Sequence, residues 1–141
     1  MTRELGDEPT PAYLARCSRW FRRELRSGRL YGLLAASADG AFVASGLMWF
    51  QPRYPSRHFP QLDSPVIFSV YTEPGHRRRG LARHIVSALT DRARDLGYTR
   101  VELYPSKMGR PVYEGIGFRP TEQLRLDLTV RRRPRGARPV A

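Results

Sequence analysis

Residues 69–82, S-V-Y-T-E-P-G-H-R-R-R-G-L-A, predict a strand, a turn and the start of a helix. The first four residues are mostly β-branched or aromatic, as is usual in strands, and Pro74-Gly75 predicts the end of that strand. Three arginines and Gly80 then lead into apolar residues at helical spacing from Leu81 to Leu96, and Gly97 is a candidate C-terminal cap.

A strand, a turn and a helix in this order predict an anion-binding site at the start of the helix. The first N–H groups of a helix have no intrahelical partner and lie at the positive end of its dipole. Gly80 has no side chain that would keep a phosphate from the backbone, and the neighbouring arginines add positive charge. The spacing is neither G-x-x-x-x-G-K-[ST] nor G-x-G-x-x-G, so these two nucleotide-binding motifs are absent.

Two sequence boxes resemble those of the GNAT acetyltransferase family. The segment Arg77-Arg78-Arg79-Gly80-Leu81-Ala82 matches the family signature R-x-x-G-x-A. One helix and one strand downstream, Tyr113-Glu114-Gly115-Ile116-Gly117-Phe118 is similar to the later Y-E-x-x-G-F box. The resemblance covers the chain from Leu30 to Leu128, and the two boxes occur in the family's order.

This resemblance implies acetyl-CoA as the cofactor and gives roles to individual residues. The pyrophosphate would lie on the backbone of Arg77, Arg78, Arg79, Gly80, Leu81 and Ala82, with one or two of the arginines contacting phosphate. The pantetheine arm would bind main-chain groups of Val70, Tyr71 and Thr72, and Ser106 would lie beside it. Tyr113 would protonate the departing thiolate; the alternative is that Tyr113 only packs the short helix.

The resemblance therefore implies an N-acetyltransferase that moves an acetyl group directly to an amine of a small molecule or peptide. The general base stays open among Glu73, Glu102, Asp63, His58 and a water relay. Residues 51–64 are the main candidate for the loop that binds the acceptor. Two alternatives remain: a nucleic-acid-binding basic module, and an acyl-CoA-binding domain of the same fold without catalysis.

Composition narrows the classes of partner. The 141 residues fit one domain, and 24 arginines and one lysine give a net charge of +12. Such a charge favours phosphorylated cofactors or other polyanions, but no motif for a specific nucleic acid is present.

The single cysteine, Cys17, excludes internal disulfides and a cysteine-based zinc site, and we expect it to be a small core residue. No metal site is predicted. Without a signal peptide or a long apolar run, the sequence predicts a cytoplasmic protein and no membrane contact.

The remaining elements predict a mixed α/β fold. Thr10-Pro11 begins a helix that ends at Gly28, and Asp39-Gly40 joins a hairpin of residues 30–38 and 41–50. Further strands are predicted at residues 65–72, 98–104 and 124–128, the last one half-buried, and a short helix begins at Pro111. Residues 1–130 would form the domain and residues 131–141 a disordered basic tail.

These elements predict a mostly antiparallel sheet with a central parallel strand–helix–strand unit from Val66 to Tyr104. The resembling family usually opens with one more strand and helix, for which too few residues precede Pro11. We therefore expect an uncovered sheet edge, which a second copy in a homodimer could cover.

Overall fold

Residues 8–129, which the computed structural model describes, form a four-stranded sheet with helices on both faces. In chain order the elements are α1 Pro11–Arg26, β1 Leu30–Ala36, β2 Phe42–Pro52, β3 Asp63–Thr72, α2 Leu81–Asp95, β4 Glu102–Leu103 and α3 Arg110–Ile116. The strand order is β1-β2-β3-β4; β1–β2 and β2–β3 are antiparallel, and β3–β4 is parallel. The predicted mixed, mostly antiparallel sheet and its parallel strand–helix–strand unit are thus confirmed, and the parallel pair lies at one end of the described strand order. The predicted basic tail, residues 131–141, lies outside the described residues.

Helix α1 begins at its predicted capping residues. The hydroxyl of Thr10 accepts a hydrogen bond from the N–H of Tyr13 at 3.2 Å, and Pro11 takes the first helical position. Beyond the helix, Gly28 adopts a φ of 74° and turns the chain towards β1. Cys17 is half-buried on this helix. Within residues 8–129 no strand precedes α1, so β1 is an edge of the described sheet.

An aromatic cluster and one buried carboxylate fix α1 to the sheet. Trp20 packs edge-on against Trp49 of β2 and Phe68 of β3, with ring centroids 5.4 and 6.3 Å apart. Beside them Glu24, only 2% exposed, accepts hydrogen bonds from Nε of Arg29 at 2.9 Å and Nε1 of Trp49 at 3.0 Å. These two donors, Arg29 first, lower the pKa of Glu24 to about 2. The carboxylate is therefore charged and fully engaged at neutral pH, a role that the sequence analysis did not assign.

The predicted hairpin forms between β1 and β2, and the two faces of β2 contact different helices. In the turn, the N–H of Ser37 donates to the carbonyl of Ala41 at 2.8 Å, and Gly40 adopts a φ of 86°. On β2, Trp49 contacts α1, whereas Met48 belongs to the buried cluster under α2. Both faces of the sheet are therefore covered by a helix.

Helix α2 packs the main core against the sheet. Its buried residues recur at helical spacing and are Ile85, Val86, Leu89 and Ala93. They form one cluster with Met48 of β2 and Ile67 of β3. Gly46 allows this close approach, because a Cβ there would lie 2.5 Å from Cγ2 of Ile85. The helix is followed by Gly97 at a φ of 88°, as its predicted cap requires.

The strand predicted over residues 98–104 is shorter than expected. It pairs with β3 only at Glu102 and Leu103. Its first residue, Tyr98, is instead held by the end of α2 and by β3. The Tyr98 N–H donates to the carbonyl of Ala93 at 3.1 Å, and its hydroxyl donates to the carboxylate of Asp63 at 2.6 Å.

The prediction of a half-buried strand over residues 124–128 is wrong. Residues 118–127 have no regular secondary structure, and the alternating Leu124, Leu126 and Leu128 are 97%, 65% and 85% exposed. A strand forms when a neighbouring edge bonds its N–H and C=O groups. The nearest strand along the chain, β4, presents an edge of just two residues. Alternation of apolar residues was therefore not sufficient to form a strand.

Candidate active site

Strand β4, the last in the order β1-β2-β3-β4, separates from β3 partway along that strand and leaves the rest of this β3 edge without a strand partner within residues 8–129. The two strands pair through two residues each, up to Ile67 and Leu103. Strand β3 continues to Thr72, so on this edge residues 68–72 have no strand partner within the described chain. The predicted pantetheine-binding residues Val70, Tyr71 and Thr72 all lie on this stretch. Such an edge presents main-chain groups that an extended ligand can bind.

A β-bulge lies within this open stretch. The register of β2 and β3 shifts between Ser45 and Leu47, so that two β3 residues, Ser69 and Val70, face Gly46 alone. Ser69 adopts a φ of 49°, a left-handed conformation that costs a residue other than glycine roughly 1–2 kcal/mol. The bulge bends β3 at the position where β4 has already separated from it.

Several backbone N–H groups between β3 and α2 have no acceptor. Pro74–His76 form one 3-10 turn, and φ is positive at Arg78 (62°) and Gly80 (78°). The N–H groups of residues 78–83 donate no hydrogen bond within residues 8–129, and the first bond of α2 runs from His84 to the carbonyl of Gly80 at 3.0 Å. A Cβ at Gly80 would meet no atom within 4 Å. This cradle of open N–H groups fits a pyrophosphate.

The arginines of this turn differ in their surroundings. Nε of Arg77 donates to the carbonyl of the last β3 residue at 3.0 Å, so this half-buried side chain ties the turn to the strand. Arg78 and Arg79 are exposed. Leu81 and Ala82 are half-buried at the start of α2 and can serve a ligand only through their backbone. The charge that could contact phosphate therefore lies chiefly on Arg78 and Arg79.

Tyr113 is buried beside the point where β3 and β4 separate. It is 8% exposed and belongs to the same cluster as Ile67, the last β3 residue that pairs with β4. Its ring packs edge-on against Phe118 at a centroid distance of 6.2 Å, and burial raises the pKa of the phenol above its ordinary value. The hydroxyl donates no hydrogen bond to any other described residue. Tyr113 therefore packs the short helix and also keeps a proton that it can donate.

The hydroxyl of Tyr113 lies against the turn formed by Ser106 and Gly109. A Cβ at Gly109 would be 3.1 Å from that hydroxyl and 2.9 Å from Cε2 of the same ring, so a larger residue would displace the phenol. Oγ of Ser106 lies 3.2 Å from the same point and accepts a hydrogen bond from the N–H of Gly109 at 3.1 Å. The structure thus brings Ser106 and Tyr113 together. The sequence analysis did not identify Gly109. Its position four residues before Tyr113 was the one signal that it packs against that side chain.

Arg83, also missed by sequence analysis, connects the start of α2 to α3. Its Nη2 donates to the carbonyl of Gly115 at 3.3 Å, and its Nη1 lies 3.1 Å from the position of a Cβ on that glycine. Along α3 itself, Arg110 pairs with Glu114 at 2.7 Å. Arg83 therefore links the anion-binding helix start to the helix that carries Tyr113.

Of the four candidate bases, Glu73 follows the open half of β3, whereas Glu102 lies opposite Val66, where β3 and β4 are still paired. Glu102 and Tyr113 line the same cavity of about 270 Å³. Nη1 of Arg53 lies 3.8 Å from the Glu102 carboxylate. Glu73 follows β3 directly and accepts a long hydrogen bond of 3.4 Å from the hydroxyl of Tyr71. The structure thus places Glu102 and the candidate acid in the lining of one cavity.

The other two candidate bases lie at the opposite end of β3, in or beside the loop between β2 and β3. Asp63, which accepts the Tyr98 hydrogen bond, precedes Ile67 by four residues, or about 13 Å along a strand. His58 is exposed in the same loop. The guanidinium groups of Arg53 and Arg100 lie 5.3 and 3.6 Å from the ring centroid of Phe59, which belongs to this loop.

Residues 8–129 contain no group of three or more His, Cys, Asp or Glu side chains placed to hold a metal ion. In the same part of the chain no helix has the length and apolar character needed to cross a membrane.

Comparison with known proteins assigns a family to this arrangement. The model of the acetyltransferase (GNAT) family matches residues 2–118. Glucosamine 6-phosphate N-acetyltransferase of Trypanosoma brucei brucei is 29% identical over 106 residues, which cover 73% of this chain and 69% of that protein. Mycothiol acetyltransferase of Beutenbergia cavernae is 37% identical over 98 residues, which cover 64% of this chain but only 29% of that protein's length.

A solved structure shares both the fold and part of the sequence. An acetyltransferase of Clostridium acetobutylicum, solved with acetyl-CoA, superposes with a TM-score of 0.80 at 29% identity. The match covers 91% of this chain and 85% of that one.

Proposed function

Because the chain belongs to the acetyltransferase (GNAT) family of acetyl-CoA-dependent N-acetyltransferases, we propose that acetyl transfer takes place where β3 and β4 separate. The observation that carries this proposal is the burial of the Tyr113 phenol in the same cluster as Ile67, the last β3 residue that pairs with β4. Acetyl-CoA supplies the thioester carbonyl that the acceptor amine attacks. The residues of this chain bind it, orient it and move one proton.

Binding of the cofactor would use main-chain groups from two adjoining segments. The N–H groups of residues 78–83 have no acceptor in the described chain and would bind the pyrophosphate, supported by Arg78 and Arg79. The open edge of β3 at Val70, Tyr71 and Thr72 would bind the pantetheine arm by hydrogen bonds. The side chain of Arg77 would hold the turn in place by its hydrogen bond to the carbonyl of Thr72, rather than serve as a main contact to phosphate.

In the transfer step, a bond forms between the amine nitrogen and the carbonyl carbon while the C–S bond breaks. A backbone N–H near Val70 to Thr72 would stabilise the charge that develops on the carbonyl oxygen. Tyr113 would donate its proton to the departing sulfur, with Ser106 next to it. The amine must lose a proton to a base or to water, and Glu102 shares a cavity with Tyr113. Most of the rate would come from positioning the two reactants.

Replacing Tyr113 with Phe tests this assignment. Phe keeps the ring that packs against Phe118 but has no proton to donate, so we expect kcat to fall by about 100-fold with acetyl-CoA affinity unchanged. The release of free CoA in a stopped assay with a panel of amines gives kcat, and calorimetric titration gives the affinity for acetyl-CoA. Val112→Ala, in the same short helix, serves as a control for loss of packing alone. Unchanged kcat in Tyr113→Phe would remove the acid role.

The acceptor is an amine of a small molecule or peptide, and the proposal includes a cytoplasmic location and a homodimer. The homodimer is supported by the three exposed leucines of residues 124–128 and by β1, which is an edge of the described sheet. A molar mass of one chain in light scattering at micromolar concentration would contradict the dimer without affecting the catalytic assignment.

A further inference from the structure

Helix α1 carries a row of arginines on its exposed side. Arg16, Arg19, Arg22, Arg23 and Arg26 are all exposed, and four of them line a shallow depression together with Ser27. We call Arg19, Arg22, Arg23 and Arg26 the α1 arginine face. The opposite side of the helix, with Trp20 and Glu24, packs against the sheet. The arginine face therefore points away from the domain.

Of the α1 arginine face, Arg23 alone pairs with a carboxylate within the described chain, that of Glu24. Arg19, Arg22 and Arg26 form no ion pair with any of residues 8–129. The one carboxylate of the helix, Glu24, is 2% exposed and is already engaged by Arg23, Arg29 and Trp49. The face thus presents a concentrated positive charge to solvent.

Helix geometry makes this concentration unfavourable in the isolated protein. Arg19 lies three residues before Arg22 and four before Arg23, and Arg22 lies four before Arg26. Like charges at these spacings destabilise a helix by about 0.2–0.5 kcal/mol for each pair. A bound polyanion would remove this repulsion, and each guanidinium can form two parallel hydrogen bonds with a phosphate.

We propose that the α1 arginine face binds the phosphate backbone of duplex nucleic acid without sequence specificity. This is a second binding function, separate from the acetyl-CoA site, because the latter is built by β3, α2 and α3. The arginine face provides no groups arranged to read bases; it provides only charge. Sequence-independent contact is therefore what its chemistry supports.

The spacing of charge favours a polynucleotide over an acidic peptide. From Arg19 to Arg26 the helix advances seven residues, or about 10 Å. A duplex carries one charge per ~1.7 Å of its axis, so about six phosphates fall within that length. An extended peptide presents side chains on one side about every 7 Å, which gives one or two carboxylates. Trp20 on the apolar side of α1 packs on the sheet, but Leu14 and Leu25 are 51% and 56% exposed, so binding to an anionic membrane surface is measured as a competing outcome.

The test compares two triple variants of the full chain that lose the same charge. The first variant removes three of the four arginines of the face, by Arg19→Gln, Arg22→Gln and Arg26→Gln. The second variant removes three exposed arginines elsewhere, by Arg57→Gln, Arg94→Gln and Arg125→Gln. Fluorescence anisotropy with a labelled 20-base-pair DNA duplex is measured at several salt concentrations. The logarithm of the binding constant is plotted against the logarithm of the salt concentration. The slope of this plot should become less negative by about 2.7 in the α1 variant, because each lost phosphate contact accounts for ~0.9, and by less than about 1 in the control.

Two duplexes of unrelated sequence should bind equally, and polyglutamate of the same total charge should bind at least tenfold more weakly. Equal flattening in both variants would overturn the proposal, because binding would then follow net charge alone. Polyglutamate or anionic vesicles that bind as tightly as the duplex would also overturn it, in favour of an acidic protein or a membrane surface. Both variants should bind acetyl-CoA normally in calorimetry, so failure of this proposal is distinguishable from failure of the proposed function.

Discussion

The two halves of β3 belong to one continuous strand but have different surroundings. In the first half, Ile67 is 1% exposed and its neighbour Val66 pairs with strands on both sides. At its start, Asp63 accepts a hydrogen bond of 2.6 Å from Tyr98. In the second half, residues 68–72 have a strand partner on one edge only, and Ser69 adopts a left-handed φ of 49°.

This difference separates stability from binding along a single strand. The first half satisfies its polar groups and buries its side chains within the protein, so it stabilises the fold whether or not a ligand is present. The second half has a strand partner on one edge only within residues 8–129, and it stores backbone strain at Ser69, a feature that clusters at binding sites. Changes in the first half should therefore lower stability, and changes at the open end should lower affinity.

The largest effect is expected from Ile67→Ala. Its side chain is part of the buried cluster under α2, and removing such a side chain costs about 2–5 kcal/mol because a cavity remains. Thermal unfolding followed by circular dichroism should show the loss, whereas the acetyl-CoA affinity of the folded fraction should be retained. Val70→Ala in the open half, where the residue is half-buried, is the matched variant. An equal loss of stability in Val70→Ala would break the distinction between the halves.

A smaller effect, on affinity, is expected from Gly80→Ala at the end of the turn after β3. Gly80 adopts a φ of 78° and its backbone lies open where the pyrophosphate would approach. A Cβ there strains the left-handed backbone and narrows the approach, so the dissociation constant for acetyl-CoA should rise by about tenfold. Calorimetric titration measures it. Gly75→Ala, in the same turn without a positive φ and with equal free space, should bind normally; equal weakening of both variants would refute a special role for Gly80.

The smallest effect is expected from Tyr98→Phe, which removes the hydroxyl that donates to Asp63 at the start of β3. Loss of the hydrogen bond to Asp63 should lower stability by about 1 kcal/mol, or roughly 3–6 °C in melting temperature. Burial and then that hydrogen bond raise the pKa of Tyr98 to about 12, above its ordinary value of about 10. The stabilisation is therefore complete below pH 10 and is lost as the pH rises through 12.

Melting temperatures of Tyr98→Phe and the unmodified protein, measured between pH 8 and 11.5, test this expectation. The difference between the two proteins should be constant below pH 10 and should shrink above it. A difference that does not change across this range would mean that the phenol does not titrate differently in the folded and unfolded states.

Much of the candidate site followed from local sequence. The turn after β3 and the N-terminus of α2 were predictable because Pro74, Gly80 and the apolar spacing of α2 act over a few residues. The second box placed Tyr113 and the short helix in the correct region. Gly109 and Arg83 were not found, because their importance depends on contacts with Tyr113 and Gly115 that arise only when α2 and α3 pack together.

The sequence by itself determined the presence of the helices, the hairpin and the turn between β3 and α2, because caps, glycines and side-chain periodicity act within a few residues of chain. Tertiary structure alone decided where β4 separates from β3, why 124–128 is not a strand, and that Glu24 is buried beneath Trp20 with Arg29 and Trp49 as donors. Strand pairing and charge burial depend on partners distant in sequence, whose positions local patterns do not specify.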